Sequence, residues 1–157
     1  MNKTLITFVA AGLMLLTSAR YTTPSDGRVG FQAPSLALSN ADTTVQLQDL
    51  RGQYVVVTFW SSAQPTSRIN NAKLSEAATN NEIVYLAVNM DRSRGLFEQL
   101  ITVDQLDGKA QFHIDIDAQE QIMQSWRQNS GDFSSFLIDP QGKIVKKNPT
   151  VDDIAQL

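Results

Sequence analysis

The order of apolar and polar positions divides most of the chain into short alternating strands and helices. Leu36 and Leu38, then Val45 and Leu47, alternate with polar neighbours on either side of an Asn40-Ala41-Asp42 turn, which predicts a small hairpin of half-buried strands. Tyr54-Val55-Val56-Val57-Thr58-Phe59-Trp60 is β-branched and aromatic without polar alternation, the pattern of a central strand covered on both faces, and Ile83 to Val88 repeats it. Between them Pro65 suits the first helical position, where a missing N–H costs nothing. Ile69, Ala72 and Ala77 are spaced to line one face of that helix through to Thr79. Strand, helix and strand in succession imply a parallel crossover.

Downstream, Leu96, Phe97, Leu100 and Ile101 recur at helical spacing, Phe112-His113-Ile114 reads as a short strand, and Ile122, Met123 and Trp126 mark another helix. Phe136-Leu137-Ile138 and Lys143-Ile144-Val145 flank Asp139-Pro140-Gln141-Gly142. Proline presets that turn and glycine relaxes its exit, so an antiparallel hairpin closes the sheet. Val151 to Leu157 fits a short last helix. The fold class is α/β: a central mixed β-sheet flanked by helices, with an N-terminal β-hairpin beside it.

The first residues differ in kind. Met1-Asn2-Lys3, an apolar run from Leu5 to Leu16 and small residues Thr17-Ser18-Ala19 have the layout of a signal peptide over residues 1–19. The run falls short of the ~20 apolar residues of a membrane-crossing helix, so no stable membrane span is expected. Leu16-Thr17-Ser18 resembles the approach to a lipoprotein cysteine, but Ala19 stands where the lipid-bearing sulfur belongs. Export would deliver the chain to the periplasm or cell envelope. Residues 20–28, rich in Thr, Ser, Pro, Asp and Gly, read as a flexible spacer, leaving 29–157 as one domain.

Composition narrows the chemistry. The 157 residues contain no cysteine, so no dithiol, thiolate ligand or disulfide is available, and packing with hydrogen bonding must hold the domain unaided. The formal net charge is −3, with no basic cluster beyond Lys143, Lys146 and Lys147, which argues against nucleic acid. Those lysines suit the exposed side of an edge strand. The single histidine, His113, falls on a different strand from any candidate nucleophile, so serine–histidine chemistry lacks its base. His113, Asp115 and Asp117 have metal-ligand chemistry but not the matched set zinc requires, and read as strand-end groups; no metal and no cofactor is expected.

Four segments, in order, carry a family resemblance: Val29-Gly30-Phe31-Gln32-Ala33-Pro34, Leu47-Gln48-Asp49-Leu50-Arg51-Gly52, Val57-Thr58-Phe59-Trp60 through Arg68, and Phe136-Leu137-Ile138-Asp139-Pro140-Gln141-Gly142-Lys143-Ile144-Val145. From Val29 onward the chain resembles exported thioredoxin-like proteins of the alkyl-hydroperoxide-reductase/thiol-specific-antioxidant (AhpC/TSA) and TlpA/ResA type. The resemblance implies a thioredoxin-like fold with a redox pair at the start of the first core helix, where N–H groups and the helix dipole favour a thiolate. Here Phe59-Trp60-Ser61-Ser62-Ala63-Gln64-Pro65-Thr66-Ser67-Arg68 stands where such proteins have Phe-Trp-x-x-x-Cys-x-x-Cys-Arg. The degenerate positions are Gln64, Pro65, Thr66 and Ser67, with Gln64 and Ser67 in place of the cysteines. Glutamine has no nucleophilic atom and a serine hydroxyl is far less acidic than a thiol, so disulfide exchange is chemically excluded at this site. The family's proline, usually cis, that presents backbone to the substrate's chain is replaced by Phe133. A trans peptide is expected there, because a cis bond before a non-proline residue costs ~3 kcal/mol.

Ser61, Ser62, Gln64, Thr66 and Ser67 form a polar cluster at a helix N-terminus, able to hold an anion or carbonyl through backbone N–H groups, with simple capping as the plainer reading. Trp60 is either a binding-surface residue or a core lid over the first helix. The binding face expected from the resemblance comprises Trp60, Ser62, Gln64 and Ser134. The function that follows is a redox-inactive module, not an enzyme, that binds a protein or peptide partner at the old substrate face. Alternatives are an inactive subunit or modulator beside a cysteine-bearing relative, and a structural component of the envelope.

Overall fold

The structure, a computed structural model, describes residues 24–157. The N-terminal hairpin forms as its alternation requires. Strands β1 (Ala37–Ser39) and β2 (Thr44–Gln46) pair antiparallel with Leu38 opposite Val45. Asn40 sets the turn: its Oδ1 accepts from the amides of Asp42 and Thr43, and its Nδ2 reaches the Gln111 carbonyl at 3.1 Å.

The main sheet begins with β3 (Val55–Trp60), followed by α1 (Pro65–Asn80), β4 (Val84–Asn89), α2 (Arg94–Val103), β5 (Gln111–His113), α3 (Ile116–Ser125), β6 (Ser135–Ile138), β7 (Ile144–Lys147) and α4 (Val151–Ala155). The strand order is β5-β4-β3-β6-β7. Strands β3, β4 and β5 run parallel, β6 is antiparallel to β3, and β7 is antiparallel to β6. All of β3 is buried because alternate residues feed two cores. Val55, Val57 and Phe59 point toward the hairpin and α3, joining Leu38, Leu47, Trp126 and Phe136. Val56 and Trp60 point toward the other helices, joining Leu74, Ala78, Phe97 and Ile154. Phe59, Trp126 and Phe136 pack with ring centroids 5.2 to 6.1 Å apart, each such pair adding about 1 kcal/mol beyond area burial.

Helix α1 does not present the face its apolar spacing predicts. Ile69 is 53% exposed, and the buried positions are Ser67, Asn71, Leu74, Ser75, Ala77 and Ala78. A polar cluster selects this face: Asn71, fully buried, donates to Gln111 Oε1 at 3.1 Å and accepts the Tyr85 hydroxyl at 2.8 Å. Turning Ile69 inward would strand those buried amides without partners.

The second half of the expected spacer, residues 24–28, is tied to the domain. The Asp26 amide donates to Gln32 O at 3.0 Å, the Gly27 amide to Ser125 O at 3.1 Å, and Arg127 forks onto the Asp26 carboxylate at 2.6 and 2.8 Å. A Cβ on Gly27 would lie 2.4 Å from the Trp126 carbonyl carbon, so this close approach requires glycine. The expected signal peptide, residues 1–19, and residues 20–23 lie outside the described residues. Among those described, no helix is long and apolar enough to cross a membrane.

Candidate functional site

The degenerate motif lies where parallel strands β3 and β4 end, the edge at which open α/β sheets ordinarily carry their sites. The chain leaves β3 at Trp60, makes a loop over residues 61–64, and enters α1 at Pro65, whose missing N–H has no helical partner to lose. Gln64 occupies the N-cap position, yet its side chain makes no capping bond.

Asp91, just beyond β4 and only 7% exposed, organises the loop. Its carboxylate accepts from the Ser61 hydroxyl at 2.7 Å, the Ser62 hydroxyl at 2.9 Å, the Ser62 amide at 3.0 Å and Asn89 Nδ2 at 2.9 Å. Burial pushes this carboxyl's pKa upward, but the hydrogen bonds from Asn89, Ser61 and Ser62 outweigh it and hold it below the usual range. Of the polar cluster of the motif, Ser61 and Ser62 therefore spend their donors on Asp91, and the N-cap side chain makes no capping bond to α1. The sequence reading passed over Asp91; the available signal was an acidic side chain placed directly after a buried strand, at the sheet's functional edge.

Ser67 is 4% exposed; its hydroxyl donates to Gln64 O at 2.9 Å and accepts from the Ser61 amide at 3.2 Å. His113 is turned elsewhere, with Nε2 2.9 Å from the Asp91 main-chain oxygen, so no base reaches the Ser67 hydroxyl. Arg68, the last residue of the motif, forks onto Asp104 with both contacts at 2.6 Å. Thr66 is exposed on the first turn of α1. Among the described residues no group of three or more His, Cys, Asp or Glu could hold a metal, and His113, Asp115 and Asp117 make none.

The four residues expected to form a binding face separate into two pairs. Trp60 is fully buried, its ring 6.2 Å from that of Phe97, because even positions of β3 point beneath the helices; it is a core residue and no part of a surface. Ser134 is 4% exposed, its amide bound to Gln128 Oε1 at 2.9 Å and its carbonyl to the Phe59 amide at 3.2 Å. Ser62 and Gln64 remain half-buried at the surface. The peptide bond into Phe133 is trans. Its amide donates to Gln64 Oε1 at 3.0 Å, and Gln64 Nε2 donates to Ser130 O, so one carboxamide joins the two halves of the old site. Beside this bridge opens a groove of about 660 Å³ with apolar walls from Met90, Ile116, Met123 and Phe133, and with Gln119 and Gln128 among its polar groups.

The sequence pattern of the AhpC/TSA family matches residues 29–147. The chain belongs to the AhpC/TSA family. Its fold is thioredoxin-like, and three solved structures share it. A thioredoxin-like protein from Parabacteroides distasonis is 23% identical with a TM-score of 0.68, over 83% of this chain and 94% of that one. The thioredoxin domain of a thiol-disulfide oxidoreductase from Bacteroides vulgatus is 25% identical with a TM-score of 0.70, over 82% and 94%. A thiol:disulfide interchange protein from a Bacteroides species is 26% identical with a TM-score of 0.68, over 82% and 86%. No curated protein matches the chain. This AhpC/TSA member carries no cysteine, so the two sulfur atoms on which dithiol exchange turns are missing from its sequence.

Proposed function

We propose that this AhpC/TSA protein is an exported, redox-inactive binding module that holds an extended protein or peptide segment in the groove beside Gln64 and Phe133. The observation that carries the reading is the fate of the two cysteine positions. Gln64 and Ser67 both make hydrogen bonds within the site, while the groove next to them, walled by apolar and polar side chains together, remains open. A site without the reactive atoms but with a groove that offers both apolar and polar side chains retains the means to hold a chain, not to exchange its bonds. Export is supported by Met1-Asn2-Lys3 and the apolar run from Leu5 to Leu16.

Insulin reduction with dithiothreitol as electron donor tests the redox half: the purified chain should leave the rate at the uncatalysed background, and turnover above it defeats the reading. Binding is tested by titrating a reduced, carbamidomethylated protein that cannot refold; saturable binding blocked by a bulky substitution at Met123 supports the groove. Sequencing the N-terminus of the protein recovered from cells tests export, with cleavage expected after Ala19.

Likeness to thiol-disulfide oxidoreductases favours a second reading, in which the protein modulates a cysteine-bearing relative. Adding the chain should then change the rate at which that relative reduces insulin, an effect the binding-module reading does not require.

A further inference from the structure

Ser130 lies within, and Phe133 directly after, the turn that Asp132 N closes on Asn129 O at 3.0 Å, and the Ser130 carbonyl and Phe133 amide take no part in that closing bond. The Gln64 carboxamide is inserted between them, Nε2 donating to Ser130 O and Oε1 accepting from Phe133 N at 3.0 Å. A primary carboxamide presents C=O and N–H on one edge and so satisfies both partners of such a fork at once. An extended residue can do the same, because its own N–H and C=O point to one side of the strand.

We infer that Gln64 is an internal competitor for the groove: its carboxamide occupies the main-chain fork of Ser130 and Phe133, and an extended peptide engages that fork only when Gln64 swings out. The inference rests on the proposed binding of extended chains. The groove adjoins the fork through Phe133 and Ser130, which lie on its wall. The chemistry of the ligand follows from the two features together: consecutive main-chain amide groups for the fork, and an apolar side chain for the space between Met90, Ile116 and Met123. Because Gln64 is tethered beside the fork, it competes at high effective concentration and lowers the fraction of molecules ready to bind.

The test compares the full chain with Gln64→Ala and Gln64→Met, using reduced, carbamidomethylated α-lactalbumin as the extended ligand. Gln64→Met keeps the side-chain volume and removes both polar atoms, so it carries the experiment if Gln64→Ala fails to fold. Both variants should bind about ten-fold more tightly than the unaltered chain, since removing a competing closed state raises the competent fraction. In the free variants the Phe133 amide should exchange with solvent about ten-fold faster, because its acceptor is gone. Equal binding by all three chains overturns the competitor role and leaves the binding reading standing. Weaker binding by the variants also overturns it, making Gln64 a ligand contact. An unchanged Phe133 exchange rate shows that the bridge is not formed and sinks the inference directly. Absence of binding by every chain defeats the binding reading and this inference with it.

Discussion

Two helix N-termini in this protein solve the same problem in opposite ways. Helix α4 is started by its own sequence neighbours: Thr150 Oγ1 accepts from the Asp153 amide at 3.2 Å, and the Asp153 carboxylate returns to the Thr150 amide at 2.7 Å, a capping box completed within four residues. Lys146 adds an exposed ion pair to Asp153 at 2.6 Å. Helix α1 has no such local device. Its N-cap residue sends its side chain to Phe133, 69 positions away, and the loop before it is held by Asp91, 29 or 30 positions from its partners. The first start is cheap, solvent-exposed and local; the second is buried and exists only when two strand ends and a distant loop are already assembled. The helix that lacks local capping is the one at whose start the resemblance places the family's redox pair.

The comparison can be broken most forcefully at Asp91. Asp91→Ala leaves the Ser61 and Ser62 donors and Asn89 Nδ2 without their buried acceptor, and should cost on the order of 3 kcal/mol in urea denaturation. A loss below ~1 kcal/mol would show that water replaces the carboxylate and that the loop is not organised by it.

At the α4 start, Thr150→Ala should cost about 1 kcal/mol by the same measurement, because only one cap is lost and the freed amides reach water. Equal costs at the two sites would remove the distinction between a local and an assembled helix start.

Acid should sharpen the contrast in mechanism. Both carboxyls titrate below their ordinary value in the folded chain, so each contributes stability that is fully present above the unfolded pKa and is lost as pH falls through the folded one. For Asp153 the causes are the Lys146 contact first and then the Thr150 amide, and the loss runs from near 3.8 down to about 2. The carboxyl carbon resonances, followed by NMR over that range, should show both groups depressed.

Salt produces the smallest expected effect. One molar sodium chloride should move the Asp153 titration back toward its ordinary value, since its exposed partner is a cation, and leave that of Asp91 nearly in place, since its partners are neutral donors held within the fold. An equal response at both would mean that Asp91 is held by an unrecognised cation.

Much of the frame was legible because it is written in local pattern. The apolar run Val55 to Trp60, the Asn40 turn and the Asp139-Pro140-Gln141-Gly142 turn each specify their element with residues that touch one another. The site was legible as a position, through the residues flanking Gln64 and Ser67, but not as a mechanism. Whether Trp60 faces out or in depends on which helices cover even positions of β3, and the spacing of Ile69 predicts a core position although Asn71, Gln111 and Tyr85 turn α1 the other way. Asp91 and the fork at Ser130 and Phe133 acquired meaning only when their partners were in view.

What the sequence determined by itself is therefore an alternation of strands and helices and the absence of cysteine from every position of the chain. Both are properties of composition and short-range order, which no tertiary arrangement can alter. Only the fold decided that the carboxylate of Asp91 would gather the loop before α1 and that the Gln64 carboxamide would bridge two main-chain groups of another loop. Hydrogen bonds between groups so far apart along the chain form only once packing has placed their strand ends together. Their energies, each about 1 kcal/mol net, are too small to announce themselves in any local pattern.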